Sequence, residues 1–161
     1  MQARVGTMST DRTKQAAQEF LATKLTEDFE AQEKRLNQEA AVSLCRVVWN
    51  RVAAAVREKC KQWNQVTGEE TLTCKETLLG DLRIRCAGRP HQLSVHFDPA
   101  KLLITLKNTA RAEHETDVVL NIEGYATEKG RDAHVVHNGL VANPDIVFLA
   151  ELRVLAGMTR Q

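Results

Sequence analysis

Apolar and polar residues follow two different spacings along this chain, and the spacing changes at Gly68. Before Gly68 the apolar residues recur every three or four positions, which is the spacing of one helix face. After Gly68 they alternate with polar residues, which is typical of half-buried strands. The sequence therefore predicts a helical first part and a sheet-forming second part.

The first part predicts one long helix over residues 10–66, after a disordered tail over residues 1–9. This stretch contains neither proline nor glycine and is rich in glutamate, glutamine, lysine, alanine and leucine, which are good helix formers. Gly68 suits the helix stop. Thr26, followed by two acidic residues, would make a fair second N-cap, so one helix or two helices in line fit the pattern.

The helix carries two apolar stripes. The first has near-heptad spacing and contains Leu25, Phe29, Leu36 and Ala40. The second is wider and contains Cys45, Val48, Trp49, Val52, Val56, Cys60 and Trp63. At about 100° per residue the two stripes lie roughly 150° apart around the axis, so we expect them to face different partners.

Residues 71–142 predict an antiparallel meander of five or six strands, because successive alternating segments are separated by turn residues. Gly80 and Asp81 are expected to form a two-residue II′ turn. Asp98, Pro99 and Ala100 are typical of a type I turn, and a loop is expected from Gly124 to Arg131.

One face of this sheet is apolar and the other is polar, so the apolar face needs a cover. The second stripe is the only long apolar stripe that can provide it. Burial of seven such side chains would contribute on the order of 10–20 kcal/mol gross, more than basic residues gain at an anionic membrane. If a ligand were held between helix and sheet, its candidate lining is Trp49, Val52, Val56 and Trp63.

A C-terminal helix is predicted over residues 143–158, with Asn143 as cap, Pro144 at the first position and Gly157 as stop. Its apolar face is expected to contain Ile146, Leu149, Leu152 and Ala156. Other apolar residues surround the axis almost completely, so Phe148 and Leu155 join Leu25, Phe29 and Leu36 as a candidate interaction surface.

The charge is nearly balanced, with a net charge of +1 over 161 residues, which argues against strong long-range attraction to polyanions. A local basic face is nevertheless formed by Arg46, Arg57 and Lys61, the candidate anion-binding residues. Residues 40–66 are strongly positive and residues 11–39 lean negative, so this face meets either solvent or the acidic half of a second copy. Nucleic acid is not favoured but stays open, because phosphate contacts need only clustered basic side chains.

We find no catalytic, cofactor-binding or metal-binding motif in the sequence, and we predict none. The four cysteines have wide spacings and indicate buried reduced thiols, with a disulfide from Cys60 to Cys74 left open. His134 and His137 fall on opposite faces of a strand, and His96 has no carboxylate partner that spacing can assign. No apolar run suits a signal peptide or a bilayer span, so a cytoplasmic protein without membrane contact is expected.

The predicted fold class is α+β: a long N-terminal helix packed on an antiparallel meander, with a C-terminal helix. The leading functional hypothesis is a non-enzymatic, self-associating interaction or adaptor protein, with a homodimer as the first expectation and another protein partner as a further one. An alternative is a small-molecule or lipid carrier with a pocket between helix and sheet. A second alternative is polyanion or nucleic-acid binding through the basic helix face.

Overall fold

The computed structural model describes the backbone of residues 2–158 and the side chains of residues 10–158. It confirms the α+β class, with a long helix α1 (Gln2–Thr67), a seven-stranded sheet and a final helix α2 (Pro144–Leu155). The strands are β1 (Leu72–Glu76), β2 (Leu82–Cys86), β3 (Gln92–Asp98), β4 (Leu103–Asn108), β5 (Val118–Thr127), β6 (Gly130–His137) and β7 (Leu140–Val141).

The chain divides into two compact units, Met1–Leu36 and Asn37–Gln161. In the described part of the chain, the first unit consists of α1 residues alone. The second unit contains the remaining α1 residues, the whole sheet and α2.

The helix α1 begins at Gln2, earlier than the predicted start at residue 10. The predicted disordered tail falls on residues 1–9, whose side chains lie outside the described part, and it stays a prediction. No break occurs near Thr26, because its hydroxyl donates to the Ala22 carbonyl 3.0 Å away instead of capping a new helix. The helix ends where predicted, and Gly68 adopts a φ of +71° just beyond it.

The sheet is an antiparallel meander in which each strand pairs with its neighbours in the sequence, in the order β1 to β7. It has one strand more than the upper prediction of six. The additional strand β7 contains only two residues, because Pro144 follows closely and starts α2.

Two predicted connections are wrong. The β1–β2 hairpin is wider than a II′ turn, because pairing stops at Glu76 and Leu82 and Thr77 donates its N–H to the Asp81 carbonyl at 2.8 Å. The expected loop from Gly124 to Arg131 is mostly strand, since β5 extends to Thr127 and β6 begins at Gly130. The predicted turn at Asp98 is present, with its side chain accepting from the N–H groups of Ala100 and Lys101.

Gly124 has a packing role that the loop prediction did not foresee. A Cβ atom at this position would lie 2.2 Å from the Asn37 carbonyl oxygen and 2.9 Å from the Ala40 Cβ. The missing side chain therefore lets β5 approach α1 closely.

The apolar face of the sheet is covered as predicted by the second stripe of α1. Its most deeply buried members are Val48, Val52, Val56 and Cys60, which share one cluster with the inward residues of the strands. The opposite sheet face carries Arg83, Arg85, His96 and Lys107, all exposed, and Lys101 is exposed in the turn before β4.

Helix α2 also covers the sheet, with a face that matches the predicted one only in part. Leu152 is buried and Ala156 packs against the core as predicted, whereas Ile146 and Leu149 are exposed. Phe148 and Leu155 complete the buried face. The buried positions follow the i, i+4, i+7 spacing of a single helix face. The sequence indicated this face only in part, because Glu151 lies on it.

Candidate functional site

An apolar stripe on the first half of α1 is the most exposed apolar feature of the described residues in that unit. The N-terminal stripe consists of Leu21, Leu25 and Phe29, spaced four residues apart, so their side chains follow one another along the helix. All three are exposed, and 69% of Leu25 is accessible to solvent. Leu36, seven residues after Phe29, is half-buried.

The helix around this stripe has no tertiary cover within its own unit. Every residue from 10 to 32 is exposed. Helices in proteins gain most of their stability from packing an apolar face, and propensity alone makes only marginal helices in water. The stripe is therefore an uncovered apolar surface in this unit, and the prediction that Leu25, Phe29 and Leu36 belong to an interaction surface stays a prediction.

The other two members of the predicted interaction surface are not surface residues. Phe148 and Leu155 are both 0% exposed and belong to the core, so that part of the prediction is wrong. They are buried because α2 directs them at the sheet. The exposed apolar residues of α2 are Ile146 and Leu149 instead.

The candidate pocket lining is packed against the core. Val52 and Val56 are buried, and Trp49 stacks on Phe97 with ring centroids 5.5 Å apart. Trp63 is half-buried, and its Nε1 is a buried donor that has no hydrogen-bond partner among the described residues. These residues fit the structural role of core anchors, and the carrier hypothesis stays a prediction.

The three candidate anion-binding residues are exposed but are not one site. Arg57 and Lys61 line the same surface cavity of about 700 Å³, whereas Arg46 is not among its lining residues. Arg57 also contacts Glu76, with 3.4 Å between Nη2 and Oε2. Because both side chains are more than half exposed, this ion pair contributes little to stability.

The Arg57–Lys61 cavity contains a pair of cysteines. Cys60 on α1 and Cys74 on β1 both line it, and both are free thiols. The neighbouring Cys60 thiol lowers the pKa of Cys74 from 9.0 to about 7; burial acts in the opposite direction, and the nearby Arg57 also lowers this pKa. The neighbouring Cys74 thiol, followed by burial, raises the pKa of Cys60.

Two polar clusters were not anticipated from the sequence. His96 Nδ1 lies 2.6 Å from Asp81 Oδ1 on the exposed sheet face. The register of β2 on β3 aligns Leu82 with Val95, so Asp81 and His96 are the next opposed positions. The Asp81–His96 contact follows from this strand register, which the spacing of the two residues in the sequence does not reveal.

The second cluster is buried. Glu151 on α2 is 2% exposed and accepts from the Nε and Nη2 atoms of Arg111, at 3.1 and 2.5 Å. Asn108 Nδ2 donates to the Glu151 carboxylate and to its backbone carbonyl, at 3.0 Å each. Glu151 raises the pKa of Arg111, so the guanidinium stays charged. Asn108 follows Ile104 and Leu106 at intervals of two residues, so the alternation along the strand already places its amide on the inward face of the sheet.

Among residues 10–158, no group of three or more histidine, cysteine or acidic side chains is arranged to hold a metal ion. His134 stacks on Tyr125 with ring centroids 4.3 Å apart, and His137 Nδ1 lies 3.2 Å from the Val119 carbonyl.

Within the described part of the chain, no helix combines the length and the apolar character needed to cross a membrane.

The fold and these sites define the class of the protein as α+β, with a helix-covered antiparallel meander. Comparison with protein-family models, with curated proteins and with solved structures gave no match.

Proposed function

We propose that this is a non-enzymatic interaction protein that self-associates through the first half of α1. The observation that carries the proposal is the N-terminal stripe, three large apolar side chains exposed in line on a helix whose own unit offers no cover. Such a surface is typical of an interface between proteins.

The apolar area of the N-terminal stripe is large enough for a reversible dimer. Burying a leucine or phenylalanine side chain contributes about 1.5–3 kcal/mol, and two copies would bury six. The cost of association is on the order of 4–15 kcal/mol, so the gross gain is of comparable or greater size. We expect a dissociation constant in the micromolar range, which corresponds to about −8 kcal/mol and lies within the difference between this gain and this cost.

Charge favours a second copy as the partner. Residues 11–24 contain three basic and two acidic side chains, whereas residues 26–39 contain five acidic and two basic. When two copies meet antiparallel with their N-terminal stripes in contact, the basic segment of each copy lies opposite the acidic segment of the other.

Light scattering of a paired set of variants tests the proposal. Leu25→Glu places a charge in the N-terminal stripe, and we expect it to weaken dimerisation at least about tenfold, since a buried unpaired charge costs several kcal/mol. Phe20→Glu is the matched control. Phe20 is 68% exposed, close to the 69% of Leu25, but lies about 140° around the helix from it.

The two variants should therefore differ. Wild type and Phe20→Glu are expected to have the mass of a dimer at micromolar concentration, and Leu25→Glu that of a monomer. A monomeric wild type would reject the proposal, and so would equal weakening by both substitutions. Circular dichroism of each variant reports whether its helix content is kept.

A further inference from the structure

Besides the N-terminal stripe, the molecule has a pair of neighbouring thiols, Cys60 and Cys74. They lie in different elements, near the end of α1 and on β1, yet they line one cavity. Cys60 is only 3% exposed, whereas Cys74 is half-buried. A small reagent that enters the cavity therefore meets Cys74 first, with Cys60 behind it.

The elements that carry the two thiols are held together by a side-chain clamp. Asn64, one turn after Cys60, accepts from the Leu72 N–H and donates to the Leu72 carbonyl, both at 2.8 Å. Leu72 precedes Cys74 by two residues on β1. The clamp therefore holds α1 against β1 about one turn away from the thiols, on the side of the α1–β1 connection.

Both basic and acidic side chains surround the cavity. Arg57 and Lys61 lie on α1, and Glu69 and Glu70 lie in the connection to β1. Glu76 on β1 contacts Arg57 from the opposite side. Of these groups, Arg57 is the one that acts on Cys74, and its guanidinium favours the thiolate.

We propose that Cys60 and Cys74 are a dithiol that hydroperoxides oxidise to an intramolecular disulfide. Cys74 is the attacking thiol and Cys60 is the resolving thiol. Small peroxides fit the cavity, whose volume of about 700 Å³ leaves room for them beside the lining side chains.

The reaction takes two steps. The Cys74 thiolate attacks the terminal oxygen of the hydroperoxide, an S–O bond forms, the O–O bond breaks, and the alkoxide or hydroxide leaves and takes a proton from solvent. The sulfur loses two electrons to the peroxide and becomes a sulfenic acid. The Cys60 sulfur then attacks the Cys74 sulfur, the S–O bond breaks, and hydroxide leaves with the Cys60 proton as water.

The other two thiols of the described residues provide an internal comparison. Cys45 and Cys86 are both buried, and neither is among the lining residues of this cavity. The Cys45 thiol donates to the Val42 carbonyl at 3.3 Å. Buried thiols in apolar surroundings are inert, so they are expected to stay reduced.

The test treats the full chain with hydrogen peroxide and, separately, with tert-butyl hydroperoxide. We expect an intact mass lower by two hydrogen atoms, peptides that link Cys60 to Cys74, and full reversal by a thiol reductant. We expect loss of the Cys45 and Cys86 thiols to be slower by at least about tenfold, because both are buried and neither lines the cavity.

Substitutions separate the two roles. Cys60→Ser is expected to stop at a Cys74 sulfenic acid, which dimedone traps, and Cys74→Ser is expected to give no trapped product. Cys45→Ser and Cys86→Ser are the matched controls and should form the disulfide at the wild-type rate. The rate of the first step should rise with pH through about 7.

Three results would overturn the proposal: no Cys60–Cys74 linkage in wild type, dimedone on Cys60 in the Cys74→Ser variant, or equal oxidation of all four thiols. Peptide mapping is made on wild type, so a variant that fails to fold does not decide the outcome. The Leu25→Glu variant should form the disulfide as wild type does, which keeps this test independent of self-association.

Discussion

Single residues decide how α2 is attached to the sheet. A buried carboxylate is costly unless it is paired and hydrogen-bonded, and Glu151 satisfies both conditions through Arg111 and Asn108. The sequence did not reveal this because the three residues are far apart along the chain and a lone glutamate in an apolar helix is usually assigned to solvent. Only the tertiary fold brings Arg111 within reach.

Arg111→Met is expected to lower the free energy of unfolding by about 3–5 kcal/mol, because Glu151 would then be a buried charge without its main partner. Urea denaturation measures the loss. The double variant Arg111→Met with Glu151→Met should recover much of it, since no charge stays buried. Arg153→Met, at an exposed position of α2, is the control and should change stability little. An equal effect of Arg111→Met and Arg153→Met would contradict the assigned role.

Secondary-structure elements were predictable where local chemistry specifies them. The end of α1 and both ends of α2 followed from a glycine stop, an asparagine cap and a proline at the first helical position. The buried face of α2 was not predictable, because an almost wholly apolar helix has no single favoured side. The strand that contains Gly124 was also missed, since glycine favours loops until a close helix contact explains it.

Asn143→Ala is expected to destabilise the protein by about 1 kcal/mol, because it removes an N-cap. The Asn143 side chain accepts from the Asp145 N–H at 3.0 Å, and no methyl group can replace that acceptor. Thermal unfolding followed by circular dichroism gives the difference. Asn143→Asp keeps the acceptor and should stay close to wild type; a loss equal to that of the alanine variant would show that the cap contributes nothing.

At the scale of the whole molecule, hydrophobic patterning predicted the class, the order of elements and the cover of the sheet. Alternation assigns each strand residue to a face, and only one helical stripe could match the apolar face. The partly buried thiol pair could not be predicted in this way. Cys60 and Cys74 come together only because the turn after α1 returns the chain beside its own last turns.

The complementary charge of the two segments of α1 predicts a salt dependence for self-association. When acidic and basic segments of two copies meet, added salt screens the attraction, and dissociation should become a few-fold easier between about 0.05 and 0.5 M salt. Light scattering over a dilution series at each salt concentration measures this. If like segments met instead, salt would screen repulsion and association would strengthen, which would contradict the proposed pairing.

The Asn64 clamp has a consequence for how the protein avoids aggregation. A sheet that does not close has two outer strands, and their unpaired backbone groups can template pairing with another chain. At the β1 edge the Asn64 amide occupies both the N–H and the carbonyl of Leu72, so a side chain stands where the next strand would add. At the other edge β7 is only two residues long. The Asn64 amide therefore obstructs the addition of another strand at Leu72, and β7 provides only two residues with which another strand could pair.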